Sequence, residues 1–197
     1  MPRVFKIFPL LALIALVLAL AIDGARAGGA VISVWFAPGD DCETAIVEQL
    51  DQATKSIHYQ MYNFTAVPIA EALTRAASRG VEVVILLDHG ASLQPKCQGQ
   101  ACAKAGCQVF IDWSHPIAHN KIRIVDGRLT LGGSYNDSAQ AHKNAENLTL
   151  DDDQDLAGRF EANFQAHLAH SKTLKKSHAD DLAHERAKAA KAAKKTK

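Results

Sequence analysis

Short apolar runs alternate with amphipathic segments along the first half of the chain, a pattern that indicates strands connected by helices. The apolar runs predict β-strands at residues 30–36, 56–62, 81–87 and 107–112. Apolar residues at helical spacing predict helices at residues 42–53 and 68–78, with Gly80 as the usual glycine after the second. Strands joined through helices tend to run parallel, so this half predicts an α/β sandwich.

The second half of the chain predicts a hairpin instead of further crossovers. Residues 122–125 and 129–131 flank Asp126 and Gly127, a pair typical of two-residue β-turns. A strand at 146–150 and a helix at 156–169 follow. The acidic run before that helix suits its N-terminal dipole, and we prefer this interpretation over a calcium site. The predicted fold class is α/β, an α-β-α sandwich with a mixed, largely parallel sheet.

The N-terminus has the pattern of an export signal. Residues 8–22 are apolar apart from one proline, and Ala25 and Ala27 provide the small residues that a signal peptidase recognises. As a helix this stretch rises about 22 Å, which is short of a hydrocarbon core of roughly 30 Å. We expect residues 1–27 to be a signal peptide and the protein to be periplasmic or secreted. An uncleaved membrane anchor is the alternative.

The net charge of +1 conceals an asymmetry between body and tail. Residues 28–170, the predicted domain, hold 10 Lys and Arg against 17 Asp and Glu, whereas residues 171–197 hold 9 against 3. The charge of the acidic body therefore gives no reason by itself to expect that it binds nucleic acid. The tail is rich in Lys and Ala, and we expect it to be solvated and to contact polyanions electrostatically.

The chain has four cysteines, Cys42, Cys97, Cys102 and Cys107. An even number in an exported protein favours two disulfides, with three possible pairings. The alternative is a zinc site, because the last three cysteines lie near His115 in the sequence. The Cys-x-x-Cys spacing of structural zinc sites is absent, so we expect disulfides and no metal.

The candidate chemistry is concentrated in one short stretch. His119 and Lys121 are two positions apart, so on an extended chain both side chains point to the same face. Ser134 and Asn136 repeat the spacing, and the turn at Asp126, to which we give an orienting or structural role, brings the two pairs together. A histidine imidazole is largely neutral at pH 7 and can attack phosphorus without a metal. The set therefore predicts phosphodiester hydrolysis.

The spacing of these residues resembles the signature of the phospholipase D superfamily. The matching strings are His119-Asn120-Lys121, Asp126 and Gly133-Ser134-Tyr135-Asn136. The chain is similar to the small, single-motif exported endonucleases of that superfamily, over residues 34–170 and including residues 36–39 and 62–65. The resemblance implies the phospholipase D fold, a phosphohistidine intermediate and no cofactor.

The resemblance also implies a role for each motif residue. His119 is the nucleophile, Lys121 and Asn136 hold the phosphate, and Ser134 assists. Glu146 matches the family carboxylate that hydrogen-bonds the imidazole and orients it. Because the two-step mechanism requires a second histidine as acid and base, and this chain carries one motif, we expect a homodimer with a shared site.

Three functions follow from these observations. The preferred one is a metal-independent endonuclease of low sequence specificity, acting on DNA or RNA. A phospholipase that hydrolyses phosphatidyl head groups is the first alternative, because the same chemistry serves any phosphodiester. An inactive dimer that binds polyanions through its basic tails is the second.

Overall fold

An eight-stranded sheet runs through residues 31–175, the part of the chain that the computed structural model describes. The strands are β1 (Val31–Ala37), β2 (Ser56–Met61), β3 (Glu82–Asp88), β4 (Gln108–Asp112), β5 (Lys121–Val125), β6 (Leu129–Gly133), β7 (Glu146–Asp152) and β8 (Lys172–Thr173). The helices are α1 (Cys42–Gln52), α2 (Val67–Ser78), α3 (His89–Ser92), α4 (Gly99–Lys104) and α5 (Gln154–Ala169), with a 3₁₀ turn at Ala141–Lys143. The predicted signal peptide and most of the predicted tail lie outside the described residues.

The strand order is β1-β7-β6-β5-β2-β3-β4-β8. Strands β2, β3 and β4 are parallel neighbours, and the other five pairings are antiparallel. The sheet is mixed, as predicted, but the expectation that it is largely parallel was wrong. Strand β1 does run in the same direction as β2, since four antiparallel pairings separate them. The meander β5-β6-β7 lies between β1 and β2. A helix that connects two strands predicts that they run in the same direction, but it does not predict that they are neighbours in the sheet.

Helices cover both faces of the sheet, which confirms the predicted α-β-α sandwich. On one face α1, α2 and α4 form the main core, in which Ile46, Leu50 and Leu73 are fully buried. On the other face α5 packs against β2, β4, β5 and β6, with Phe164 buried against Leu86 and other apolar side chains. Burial on both faces explains why β3 is apolar at nearly every position.

The domain extends past its predicted boundary at residue 170. Strand β8 pairs antiparallel with β4, and Leu174 is buried in the main core. A two-residue strand has no period that a sequence pattern can reveal. The first residues of the predicted tail are therefore part of the fold.

The acidic run before α5 includes the cap of that helix, as predicted. The Asp153 carboxylate accepts hydrogen bonds from the backbone amides of Asp155 and Leu156. Asp152, in β7, pairs with Arg128. Carboxylates at these positions stabilise the positive end of the helix dipole.

All four cysteines are free thiols in the structure, so the two predicted disulfides are not formed. The Cys102 and Cys107 thiols donate to the backbone carbonyls of Ala70 and Leu73 in α2, at 4.0 and 3.9 Å, whereas Cys42 is buried in α1. Between residues 31 and 175 no helix has the length and apolar character needed to cross a bilayer.

Candidate active site

His119 and Lys121 meet at the start of β5. The Lys121 ammonium nitrogen lies 3.3 Å from Nδ1 and 3.4 Å from Nε2 of His119, and it donates to the His119 carbonyl oxygen at 2.9 Å. An ammonium group can only donate, so a ring nitrogen that faces it acts as an acceptor. Such a nitrogen carries a lone pair, which is what a nucleophilic imidazole requires.

The residue between them points the other way. The Asn120 amide donates to Gln60 on β2 at 3.2 Å and to Asn163 on α5 at 3.3 Å. These two hydrogen bonds hold the Asn120 side chain on one face of the chain, so the side chains of His119 and Lys121 lie together on the other face. The predicted i, i+2 geometry is therefore present in the structure.

Tyr62, just after β2, packs against the histidine. Its ring centroid is 4.6 Å from that of His119, and the Lys121 ammonium lies 5.6 Å from the Tyr62 ring centroid. An aromatic ring in this position limits the orientations of the imidazole. Sequence reasoning included Tyr62 in the family resemblance but gave it no role.

A cavity of about 220 Å³ opens at this point. It is lined by His119, Asn120, Lys121, Ile122, Gly132, Gly133 and Phe160. The lining combines the start of β5, the end of β6 and one side chain of α5. Burial lowers the pKa of Lys121, the Glu146 carboxylate opposes this effect, and Arg123 adds to it.

Gly133 lets two segments approach closely. Its φ is +142°, and a Cβ atom at this position would overlap the Asn147 carbonyl oxygen. That oxygen accepts from the backbone amides of Ser134 at 3.1 Å and Tyr135 at 3.2 Å, and the Ser134 hydroxyl accepts from the Asn147 amide at 3.0 Å. Because the hydroxyl accepts there, its own proton remains available to a phosphate oxygen.

Asn136, the last residue of the motif, is half-buried. Its backbone carbonyl accepts from Ser138 at 2.8 Å, while its Oδ1 atom is buried with no hydrogen-bond partner in the described part of the chain. A buried amide without its full set of partners is costly unless a ligand or solvent supplies them. A phosphate oxygen has no proton to donate to Oδ1, so the predicted contact with phosphate would use the Nδ2 donor of Asn136, and it stays a prediction.

A buried ion pair anchors the loop that carries Ser134 and Asn136. Arg123 and Asp137 are fully buried, and the guanidinium binds both carboxylate oxygens of Asp137. The Tyr59 hydroxyl donates to the same carboxylate at 2.6 Å. Burial raises the pKa of Asp137 while Arg123 and Tyr59 oppose it, and burial holds the pKa of Tyr59 well above its usual value.

Sequence reasoning missed this ion pair, although a signal was present. Arg123 is the one charged residue in the otherwise apolar run from Ile122 to Val125, and a charge in a covered strand requires a partner. The backbone carbonyl of Asp137 also accepts from the amides of Thr65 and Ala66, which ties the loop to the chain after β2. The fully buried pair therefore holds the loop of the motif from within the core.

Asp126 occupies the opposite end of β5 from Lys121. Its φ is +54°, as the tight turn requires. Its carboxylate accepts from the backbone amides of Thr54, Lys55 and Ser56, the chain between α1 and β2. Burial raises the pKa of Asp126, but these hydrogen bonds bring it below its ordinary value. These contacts are structural: the carboxylate ties the hairpin turn to the chain before β2, at the end of β5 away from His119.

Glu146, at the start of β7, is half-buried near Lys121. Its carboxylate accepts from the Asn144 side chain at 3.2 Å and forms no hydrogen bond with His119 within the described structure. Its charge favours the protonated form of Lys121. The predicted orientation of the imidazole by Glu146 is not formed here and stays a prediction.

Comparisons with known proteins match this site and fold. Residues 46–168 match the sequence family described as cardiolipin synthase, PLD-like domain. The chain is 38% identical over 134 residues to phospholipase D of Rickettsia conorii, covering 68% of this chain and 67% of that protein. It is 29% identical over 127 residues to mitochondrial cardiolipin hydrolase of Xenopus laevis, covering 64% and 60%.

A solved structure gives the same result. Nuc from Salmonella typhimurium, described as a phospholipase D family member, aligns with a TM-score of 0.69 and 29% identity over 74% of this chain and 97% of that one. The family match spans more than half of the chain and includes the cavity with His119 and Lys121. The chain belongs to the phospholipase D superfamily.

Proposed function

We propose that this phospholipase D superfamily phosphodiesterase is a metal-independent endonuclease that works through a phosphohistidine on His119. The observation that carries the proposal is the contact between the Lys121 ammonium and the His119 ring, at 3.3 Å, beside an open cavity. One group supplies a nucleophile and the other a fixed positive charge. Ser134 and Asn136 add neutral donors, so the chain's own residues can stabilise phosphoryl charge.

The reaction has two displacements at phosphorus. In the first, a His119 nitrogen forms a bond to phosphorus, and the bond to the leaving oxygen breaks while an acid protonates that oxygen. In the second, a water molecule attacks phosphorus, the phosphorus–nitrogen bond breaks, and the imidazole is regenerated. Lys121, Ser134 and Asn136 contact the non-bridging oxygens in both steps.

The acid and base is proposed to be His119 of a second copy. On the edge strand β1 the alternate side chains Ile32, Val34 and Phe36 are 52%, 47% and 58% exposed, facing away from the main core. Helix α5 packs against β2, β4, β5 and β6 on that side of the sheet. Exposed apolar side chains on an edge strand favour association. Strand β7 lies beside β1, and the Asn147 backbone in β7 holds Gly133 and Ser134 of the motif. The exposed apolar edge is therefore one strand away from the site.

A phospholipase activity is the second candidate, and two exposed apolar side chains favour it. Ile117 is 57% exposed two residues before His119, and Phe160 lines the cavity at 36% exposure. Apolar groups beside a phosphodiester site suit acyl chains. The curated relatives named above are a phospholipase D and a cardiolipin hydrolase. The resemblance to small single-motif endonucleases and the compact domain support nucleic acid instead.

A substrate panel tests the proposal. Purified protein is offered plasmid DNA, RNA and vesicles of phosphatidylcholine or cardiolipin, each with and without excess EDTA. We expect cleavage of nucleic acid that persists in EDTA, because Lys121 and Asn136 provide the charge stabilisation. Circular dichroism of the same samples shows whether the fold is intact.

Two outcomes would contradict the proposal. Cleavage of vesicles with nucleic acid left intact would assign the site to phospholipids. Activity that EDTA removes from a folded protein, and that magnesium restores, would place a metal in the chemistry.

A further inference from the structure

Four side chains that could bind a metal lie together outside the motif. They are Asp112 at the end of β4, His115 in the loop that follows, and His167 and His170 at the end of α5. One donor atom from each lies within 4.8 Å of the donor atoms of the others. The cluster joins two segments, residues 112–115 and 167–170, that are far apart in the sequence.

The distances within the cluster are close to those of a tetrahedral site. Asp112 Oδ2 lies 2.9 Å from His115 Nδ1, 3.2 Å from His167 Nδ1 and 3.5 Å from His170 Nε2. Zinc bonds of about 2.0–2.1 Å place neighbouring ligand atoms about 3.3 Å apart. Small side-chain movements are therefore sufficient to complete the coordination shell.

The Asp112 carboxylate is arranged so that one oxygen faces the three imidazoles. Its Oδ1 atom accepts from the backbone amides of Ser114 at 2.8 Å and His115 at 3.3 Å, so Oδ2 is the oxygen directed at the histidines. The Asp112 side chain is fully buried, and those of His115, His167 and His170 are 42%, 17% and 36% exposed. One carboxylate oxygen has two lone pairs, so it cannot accept a hydrogen bond from all three imidazoles through separate lone pairs. One cation, in contrast, can bind this oxygen and a nitrogen of each imidazole.

We propose that Asp112, His115, His167 and His170 bind one Zn²⁺ ion in a closed structural site. Imidazole and carboxylate are ligands that zinc accepts, and four protein ligands leave no position for a reactive water. The ion joins the end of α5 to β4, next to the pairing of β4 with β8. It also fixes the chain that leads from His115 to His119, and Ala118 on that chain is already held by Asp88 at 2.9 Å.

This site differs from the zinc alternative that the sequence offered. That alternative grouped His115 with the cysteines, whereas the structure places His115 against Asp112, His167 and His170. The paired spacing of His167 and His170, one helical turn apart, is visible in the sequence. Their partners are more than 50 residues away in the chain, as the separation of 55 between Asp112 and His167 shows, so the set could not be assembled without the fold.

Metal analysis of the purified protein tests the proposal. The protein is stripped with a chelator, exposed to Zn²⁺, passed through gel filtration, and analysed for bound zinc and for its melting temperature. We expect one tightly held zinc per chain and a higher melting temperature. The double variant His115→Ala/His170→Ala removes two ligands and should weaken binding by more than about 100-fold, since even changes behind the ligands cost about 10–100-fold.

A matched variant and a spectroscopic probe complete the experiment. His142→Ala removes an exposed histidine on the 3₁₀ turn and should leave both zinc content and melting temperature as in the wild type. Cobalt in place of zinc should give the visible bands of a tetrahedral ion without the thiolate charge-transfer bands of a cysteine site. Equal zinc retention by the wild type and the double variant, a melting temperature that zinc does not raise, or thiolate bands would each overturn the proposal.

Discussion

Replacing His119 with alanine should abolish phosphodiester hydrolysis, with a loss in kcat of at least about 10⁴-fold, the size seen when a covalent nucleophile is removed. His119 is exposed before β5, so its removal leaves the core unchanged. Initial rates over a range of substrate concentrations measure the effect, with circular dichroism to confirm the fold. His142→Ala is the control, and comparable losses in the two variants would show that a different imidazole performs the chemistry.

The His119→Ala variant also tests whether a histidine of a second copy takes part in the reaction. Wild-type protein is mixed with excess His119→Ala protein and allowed to exchange subunits. If each diester is cut between two His119 side chains, mixed dimers are defective, and activity should fall well below the wild-type fraction. Activity in strict proportion to wild-type chain, with a monomeric mass by light scattering, would show that one motif is sufficient.

Replacing Arg123 with leucine should reduce the free energy of unfolding by about 3–5 kcal/mol, because it leaves the Asp137 carboxylate buried without its cation. For a chain of this size the melting temperature should fall by roughly 6–20 °C. Thermal unfolding followed by circular dichroism provides the measurement. Activity below the melting temperature should also fall, since Asp137 holds the loop that carries Ser134 and Asn136.

A surface ion pair provides the matched control. Arg75 binds both oxygens of Asp51 at 3.0 and 2.8 Å, with side chains that are 48% and 37% exposed. Arg75→Leu should cost about 1 kcal/mol or less, because solvent screens an exposed pair. Equal losses from the two replacements would show that burial does not determine the contribution of the Arg123–Asp137 pair.

The fold could be predicted from the sequence wherever the pattern is local. Periodic apolar positions gave the strands and helices, and the Asp126 turn gave the β5-β6 hairpin. Strand order could not be predicted this way, because adjacency depends on which strands the meander β5-β6-β7 separates. Strand β8, at Lys172–Thr173, is too short to show a period and is held in place by β4.

The residues of the candidate site also divide into those that a local sequence pattern predicts and those that it does not. His119, Lys121, Ser134 and Asn136 could be predicted as site residues because their spacing fits two extended segments joined by a turn. Tyr62 and the Arg123–Asp137 pair act through contacts between distant segments, and no local spacing reveals such contacts. The orienting role of Glu146 was taken from the family resemblance, and the described structure contains no hydrogen bond between Glu146 and His119.

The stereochemical course at phosphorus tests the central claim, a covalent phosphohistidine, most directly. A phosphorothioate diester of one configuration at phosphorus is cleaved in water labelled with ¹⁸O, and the configuration of the product is determined. Each in-line displacement inverts phosphorus, so attack by His119 followed by attack by water predicts overall retention. Overall inversion would mean that water attacks the substrate directly, and it would contradict the role assigned to His119.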